Sequence, residues 1–243
     1  MIVLFKKEIS VFFSTLIGYL IIALFLLVNG IILWTSMSSF NILDYGYANM
    51  DMFFKVSPLL FLLFIPAISM RVFTEEYNVG TIETLITKPI SIFQLVFAKF
   101  LAVFCLVCLS IFPTIIYVIS VYYLGETIGN LDLASIIGSY IGLCLLSSVF
   151  ASISVYCSAL SSNQIISFVV AILLCALFYF GFDLLSELSV LQKFDLLIQK
   201  IGISYHYQDL SKGLLSFSDV FYFISVSFLF LKLNEQLISN RKS

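Results

Sequence analysis

Six long apolar stretches limit what this chain of 243 residues can fold into. A helix that crosses the hydrocarbon core of a bilayer, about 30 Å thick, needs roughly 20 apolar residues. The six candidate segments are residues 16–34, 53–71, 95–124, 133–160, 165–185 and 217–233. The chain is 61% hydrophobic and 11% charged, and a soluble domain of this composition would expose large apolar patches. We therefore predict an all-α membrane protein with six transmembrane helices, formed by a single domain over residues 1–243.

The charges indicate how these six helices are oriented. If the N-terminus is cytoplasmic, eight of the twelve lysines and arginines lie on the cytoplasmic side, whereas nine of the fourteen acidic residues lie at or beyond the outer boundary. This distribution obeys the positive-inside rule, so we predict that both termini are cytoplasmic. The net charge of −2 and the lack of a basic stripe argue against nucleic acid as a partner.

Residues 2–13 form an amphipathic pattern ahead of the first apolar stretch. Apolar residues recur at helical spacing, and Lys6, Lys7 and Glu8 fall between them. We interpret this segment as an interfacial helix that lies on the membrane surface. The alternative is a cytoplasmic extension of the first transmembrane helix.

The segment between the second and third apolar stretches concentrates charge in an otherwise uncharged region. Its charged residues are Arg71, Glu75, Glu76, Glu83 and Lys88. Gly80 is suited to end a helix, Thr81 can cap a short helix over residues 82–87, and Pro89 disfavours its continuation. Ser91 and Gln94 have capping-box spacing, which predicts the start of the third transmembrane helix. Residues 71–95 are therefore predicted to form a cytoplasmic loop to which another protein binds.

The second half of the chain has two further patterns. Small residues recur from Gly138 to Ser161, which favours close helix packing, either within one subunit or between two subunits of a dimer. Residues 186–216 are predicted to form an outer loop, with an amphipathic segment over residues 190–201. Within that loop His206 is the single histidine of the chain, and we interpret it as an interfacial anchor.

Several kinds of chemistry lack their sequence signatures. No phosphate-binding loop of the Gly-x-x-x-x-Gly-Lys-Ser/Thr type occurs, so we expect no ATP hydrolysis, no catalytic residues and no cofactor in this chain. The five cysteines all fall in apolar stretches, where packing is favoured over metal or redox roles. The centres of the six segments carry no charged residue, which argues against an ion-coupled carrier.

The loop sequence EEYNVGTIETLITKPI, from Glu75 to Ile90, resembles the motif of ABC-2 type permeases: an acidic pair, Gly-Thr-Ile-Glu, and a Thr-x-Pro-Ile ending. Two further stretches, Phe5 to Tyr19 and Tyr205 to Phe223, resemble the gliding-motility-associated permease branch of that family. The resemblance extends over most of the chain.

This resemblance implies a fold, partners and site residues. The expected fold has six helices, an N-terminal interfacial helix and a cytoplasmic coupling loop, as in ABC-2 or type V exporters. The implied partners are an ATP-binding subunit that carries ATP and Mg²⁺, a second permease subunit, identical or related, an accessory gliding-motility subunit and membrane lipid. The positions implied to couple the chain to the ATP-binding subunit are Glu75, Glu76, Gly80, Thr81 and Glu83, supported by Lys6, Lys7 and Glu8.

The function implied is that of a permease subunit in a bacterial inner-membrane exporter associated with gliding motility. Two alternatives stay open: an ABC-2 permease for a drug or a lipid-linked glycan, and a membrane scaffold that anchors an ATPase without moving a solute.

Overall fold

The computed structural model describes residues 1–35, 41–42, 49–86, 90–125, 130–186 and 195–241, and all regular structure in these residues is helical. The helices are α1 (Ile2–Ser14), α2 (Leu16–Trp34), α3 (Asp51–Ser69), α4 (Thr74–Val79), α5 (Ile82–Ile86), α6 (Ile92–Ile111), α7 (Ile115–Leu124), α8 (Leu133–Leu160), α9 (Gln164–Ala176), α10 (Phe182–Ser186), α11 (Asp195–Gln199), α12 (Ile203–Leu210) and α13 (Phe217–Asn240). Within the described residues, five helical segments are long and apolar enough to cross a membrane, and α1 with α2 makes a sixth if this bent pair is one span. The chain is thus an all-α membrane protein.

The corner between α1 and α2 makes α1 a separate helix. The two helices are bent by 71° relative to each other, and Thr15 between them has an extended backbone. Gly18 lies inside this corner, where a Cβ atom would be 2.6 Å from the Phe12 carbonyl oxygen. The bend shows that α1 is not a straight extension of the first transmembrane helix.

The long third apolar stretch is interrupted near its middle. Phe112–Thr114 form a turn of 3₁₀ helix between α6 and α7, because Pro113 cannot donate a helical backbone hydrogen bond. The Thr114 hydroxyl lies 2.6 Å from the Ile111 carbonyl oxygen and 3.0 Å from the Tyr140 hydroxyl. The break is therefore stabilised by hydrogen bonds from the turn to α6 and to α8.

Helix α8 is the centre of the bundle and packs against α13, α3 and α9. Its glycines permit close approach: a Cβ atom on Gly138 would be 2.7 Å from the Gly213 carbonyl oxygen, and one on Gly142 would be 2.6 Å from the Leu210 Cβ. Ser139 donates a hydrogen bond of 2.9 Å to the Ser211 carbonyl oxygen. In this part of the stripe, the small residues serve packing within one subunit.

Helix α12 brings part of the predicted outer loop into the bundle. Tyr207 is buried and donates a hydrogen bond of 2.7 Å to the Phe54 carbonyl oxygen of α3. His206 is 8% exposed, and its Nδ1 lies 2.6 Å from the Asp219 carboxylate of α13. The interpretation of His206 as an interfacial anchor is therefore wrong, since the ring is held inside by an acidic partner. Residues 190–194 of the amphipathic segment lie outside the described residues, and α11 covers Asp195–Gln199.

Contacts define two ends of the bundle. Trp34 at the end of α2 packs 6.2 Å from the Tyr117 ring of α7, which packs 6.1 Å from Phe53 at the start of α3. At the other end α1 contacts α6, and Arg241 after α13 donates a hydrogen bond of 2.8 Å to the Leu160 carbonyl oxygen. We call the end of the bundle where α1 contacts α6 the α1 end. The α1 helix and Arg241 lie at the same end of the bundle, because Lys7 of α1 contacts Glu76 of α4 and Arg241 contacts Tyr77 of the same helix.

Candidate docking surface and its buried charged cluster

The α1 end is organised around one buried lysine. Lys99 is the sole charged residue of α6 and α7, and its side chain is 1% exposed. Its Nζ atom lies 3.1 Å from Glu8 Oε1, 2.9 Å from Glu76 Oε1 and 2.7 Å from the Val72 carbonyl oxygen. A lysine ammonium has three N–H donors, and these three acceptors match them. Lys99 therefore connects α6 to three other parts of the chain: α1, the turn before α4, and α4.

A second lysine completes the charge balance around Lys99. Lys7 lies 3.6 Å from Glu76 Oε1 and 3.9 Å from Glu8 Oε1, and its side chain is 51% exposed. We call Lys7, Glu8, Glu76 and Lys99 the Lys99 cluster. Its two positive and two negative charges balance, and the buried ammonium also lies 4.9 Å from the centre of the Phe73 ring. Such a cluster fixes the position of α1 and α4, because removal of one partner would leave a charge buried without compensation.

The loop beyond α4 projects away from the Lys99 cluster. Gly80 ends α4 with φ of +72°, a conformation that favours glycine, and the Thr81 amide donates a hydrogen bond of 3.0 Å to the Glu76 carbonyl oxygen. Helix α5 follows and is anchored by the buried Leu85, whereas Glu83 on α5 is exposed. The turn at Gly80 therefore presents Glu83 to the surroundings on a short, anchored helix.

The structure separates the eight sequence-predicted coupling residues into two groups. It brings Lys7, Glu8 and Glu76 together in the Lys99 cluster. It leaves the other five exposed: Lys6, Glu75, Gly80, Thr81 and Glu83. A groove of about 210 Å³ between α1 and α4 borders both groups and is lined by Lys7, Arg71 and Glu75, among others. We call the exposed residues of α1, α4 and α5 around this groove the docking surface.

Two residues near the docking surface were missed in the sequence analysis. Lys99 had a signal, since a single charge inside a long apolar stretch needs a partner to be buried. Arg241 had none, because its position depends on the fold. It donates a hydrogen bond to the carbonyl oxygen of Leu160 at the end of α8, and its guanidinium lies 4.8 Å from the centre of the Tyr77 ring of α4. Arg241 thus links the end of α13 to the docking surface.

The chemistry of this end is that of ion pairing and hydrogen bonding. Among the residues that the structure describes, no group of three or more His, Cys, Asp or Glu side chains is placed to hold a metal ion. The glutamates of the Lys99 cluster are engaged with lysines, and those on α4 and α5 that face outward are free to meet a partner surface. The arrangement fits docking better than proton transfer.

Comparisons with known proteins agree with this architecture. The sequence profile described as ABC-2 family transporter protein matches residues 6–182, which run from within α1 to the start of α10 and include the residues named in the docking surface. A search of curated proteins gave no match. Because the profile spans more than half of the 243 residues, the chain belongs to the ABC-2 family of membrane transporter proteins.

Proposed function

We propose that this chain is the permease subunit of an ATP-driven exporter in a bacterial inner membrane, and that its docking surface receives the ATP-binding subunit. The family supplies the membrane subunits of ABC transporters, which work with an ATP-binding partner and a paired permease. The observation that carries the proposal is the Lys99 cluster, because it connects the exposed helices α1 and α4 to a membrane helix through buried ion pairs.

The Lys99 cluster offers a route for movement. A partner that pushes on α5 or α4 would move Glu76, and Glu76 is paired with Lys99 two turns into α6. Helix α6 leads to the 3₁₀ break at Pro113, where the helix is interrupted and can bend. Movement at the docking surface can therefore reach the middle of the bundle along one helix.

The sequence indicates which tasks belong to this chain and which to the ATP-binding partner. The chain has no phosphate-binding loop, so ATP and Mg²⁺ would be held by the partner and hydrolysed there. In this proposal Glu75, Glu83 and Lys6 contact the partner directly. Lys7, Glu8 and Glu76 position α1 and α4 through Lys99.

The assignment to a gliding-motility system rests on the sequence alone. The stretches Phe5 to Tyr19 and Tyr205 to Phe223 support an exporter associated with gliding motility, with a second permease subunit and an accessory subunit of that system. The residues after 182 lie outside the family match, so the second stretch supports this finer assignment independently of the profile.

Affinity purification of the tagged chain from its native membrane tests the docking proposal. We expect the wild type to bring down an ATPase with a phosphate-binding loop, identified by mass spectrometry. The Glu83→Lys variant should lose it, because reversing an exposed charge at an interface opposes association. The control is Asp51→Lys, the same charge reversal at an exposed position at the other end of the bundle, which should retain the ATPase.

The outcomes of this purification separate the alternatives. If the folded wild type captures no ATPase in mild detergent, the proposal is wrong. If the ATPase is captured but both variants retain it, the partner binds elsewhere and the docking surface is misassigned.

A further inference from the structure

An apolar groove runs along the side of α6 and α7. It consists of two adjoining cavities of about 360 and 650 Å³, which share Phe104 and Cys108 as lining residues. The smaller cavity lies between α1 and α6, and the larger lies between α6–α7 and the first half of α8. Representative lining residues are Ile2, Phe5, Leu101, Ile111, Ile137 and Tyr140.

The polar side chains in the wall of this groove are already engaged. The Tyr140 hydroxyl lies 3.0 Å from the Thr114 hydroxyl. The Ser148 hydroxyl donates a hydrogen bond of 2.6 Å to the Leu145 carbonyl oxygen and lies 3.1 Å from the Ser227 hydroxyl. A polar occupant would find few partners here, whereas an apolar occupant would lose nothing by entering.

The length of the groove matches a lipid chain. The lining residues on α6 and α7 run from Leu101 to Val118, and this separation corresponds to about 25 Å at 1.5 Å per helical residue. One leaflet of the hydrocarbon core is about 15 Å thick, half of the roughly 30 Å core. The groove is therefore long enough for an extended acyl chain.

A positive charge lies at the α1 end of the groove. Lys6 is four residues after Ile2, which lines the groove, so both side chains lie on the same side of α1. Lys6 is exposed. The neighbouring acids Glu8 and Glu76 are occupied by Lys99, so they do not neutralise Lys6 directly. A lysine beside an apolar groove in a membrane protein is suited to hold a phosphate, because its stem can extend towards the headgroups.

We propose that this groove is a binding site for one anionic phospholipid, with an acyl chain along α6 and α7 and its phosphate at Lys6. The apolar part of the site lies outside the docking surface, whereas Lys6 borders both, and binding of the lipid needs no ATP-binding partner. It would make the position of α1 depend on membrane composition, because the lipid would contact both α1 and α6.

Fluorescence quenching by brominated lipids tests this site. Trp34 is the single tryptophan of the chain, so a Trp34→Phe background allows one reporter to be added at a time. The reporters are Phe104→Trp in the groove and Phe221→Trp on the exposed surface of α13. Each protein is reconstituted in phosphatidylcholine vesicles that contain brominated phosphatidylglycerol or brominated phosphatidylcholine at the same low mole fraction.

We expect the Phe104→Trp protein to prefer the brominated anionic lipid about fivefold, as expected for roughly 1 kcal/mol per lysine at the membrane surface. The Phe221→Trp protein should show no such preference. Addition of Lys6→Gln should abolish the preference, and the control Lys55→Gln, at an exposed lysine on α3, should retain it.

Two results would overturn the proposal. Equal preferences at the two reporters would mean that the groove holds ordinary surrounding lipid. A groove reporter shielded from both brominated lipids would mean that protein, such as a second copy of the chain, covers the groove.

Discussion

Lys99 shows how a single residue can connect three parts of the chain. Its ammonium pairs with Glu8 and Glu76 and reaches the Val72 carbonyl oxygen, and all of these groups are withdrawn from water. Moving charges out of water is costly, and the ion pairs offset this cost only while every partner is present. The cluster is therefore more valuable for fixing geometry than for adding stability.

Replacement of Lys99 by methionine should destabilise the protein. The Lys99→Met change leaves Glu8 and Glu76 with Lys7 as their remaining neighbour in the cluster, so we expect a loss of about 3 kcal/mol, the lower end of the range for a broken buried pair. The measurement is the free energy of unfolding by denaturant in detergent. The control Lys55→Met, at an exposed lysine, should change stability by no more than about 0.5 kcal/mol.

A compensating variant separates charge from packing in this prediction. Glu8→Gln and Glu76→Gln, added to Lys99→Met, remove the unpaired charges and should recover most of the lost stability. Failure to recover would show that the lysine stem, and not the ion pairs, holds α1 and α4.

The sequence pointed to three of the four residues of the Lys99 cluster, but not to the ion pairs between them. The resemblance implied that Lys7, Glu8 and Glu76 are coupling positions, whereas Lys99 was missed although it is the sole charge of α6 and α7. Sequence patterns could not predict the ion pair between Glu8 and Lys99, because these residues are 91 positions apart and no periodicity links them. The fold alone brings them within an ion pair.

Among the helices, the corner between α1 and α2 determines the position of α1 relative to the bundle. The bend of 71° brings Gly18 against the backbone of Phe12, and a side chain at this position would collide with a carbonyl oxygen that cannot turn away. The contact of α1 with α6, and with it the Lys99 cluster, depends on this close approach. The corner therefore positions the docking surface, although it is not part of it.

The glycines of α2 provide a matched test of this corner. Gly18→Ala places a Cβ atom 2.6 Å from the Phe12 oxygen and should cost about 1–3 kcal/mol of unfolding free energy. Gly30→Ala meets the Tyr117 hydroxyl at 3.7 Å, an ordinary contact, and should be neutral or stabilise by up to about 1 kcal/mol through higher helix propensity. Equal effects of the two changes in denaturant unfolding would contradict the proposed role of the corner.

Helix α12 shows where sequence patterns fail at the scale of elements. The starts of α6 and α8 and the end of α4 were predictable from the Ser91 capping box, the apolar pattern and Gly80. Helix α12 has only eight residues and contains His206, Gln208 and Asp209, so its sequence suggests a polar loop. Its burial depends on partners in other helices, such as Asp219 and the Phe54 carbonyl oxygen.

For the whole molecule, contacts place α1 and the end of α13 at the same end of the bundle, which predicts an even number of membrane crossings. The Lys99 cluster places α1 beside α4, and Arg241 places the end of α13 beside the same helix. Trp34 lies with Tyr117 and Phe53 at the other end, so α2 runs the full length of the bundle although it is joined to α1 by a sharp bend. If the bent pair is one crossing, the described residues provide six membrane crossings.

Labelling of single added cysteines with a charged, membrane-impermeant maleimide tests this topology. Glu83→Cys and Ser239→Cys are exposed positions at the α1 end, and Lys212→Cys is exposed at the other end. In inside-out vesicles we expect Glu83→Cys and Ser239→Cys to react and Lys212→Cys to be protected, because the proposed function puts the α1 end on the side of the membrane that holds ATP. In intact cells we expect the reverse pattern. The wild type is the control, since its cysteines all lie within membrane-length helical segments and are at least half-buried. Reaction of Glu83→Cys and Ser239→Cys from opposite sides would mean an odd number of crossings between residues 83 and 239. Reaction of both from outside the cell would rule out ATPase docking at this end.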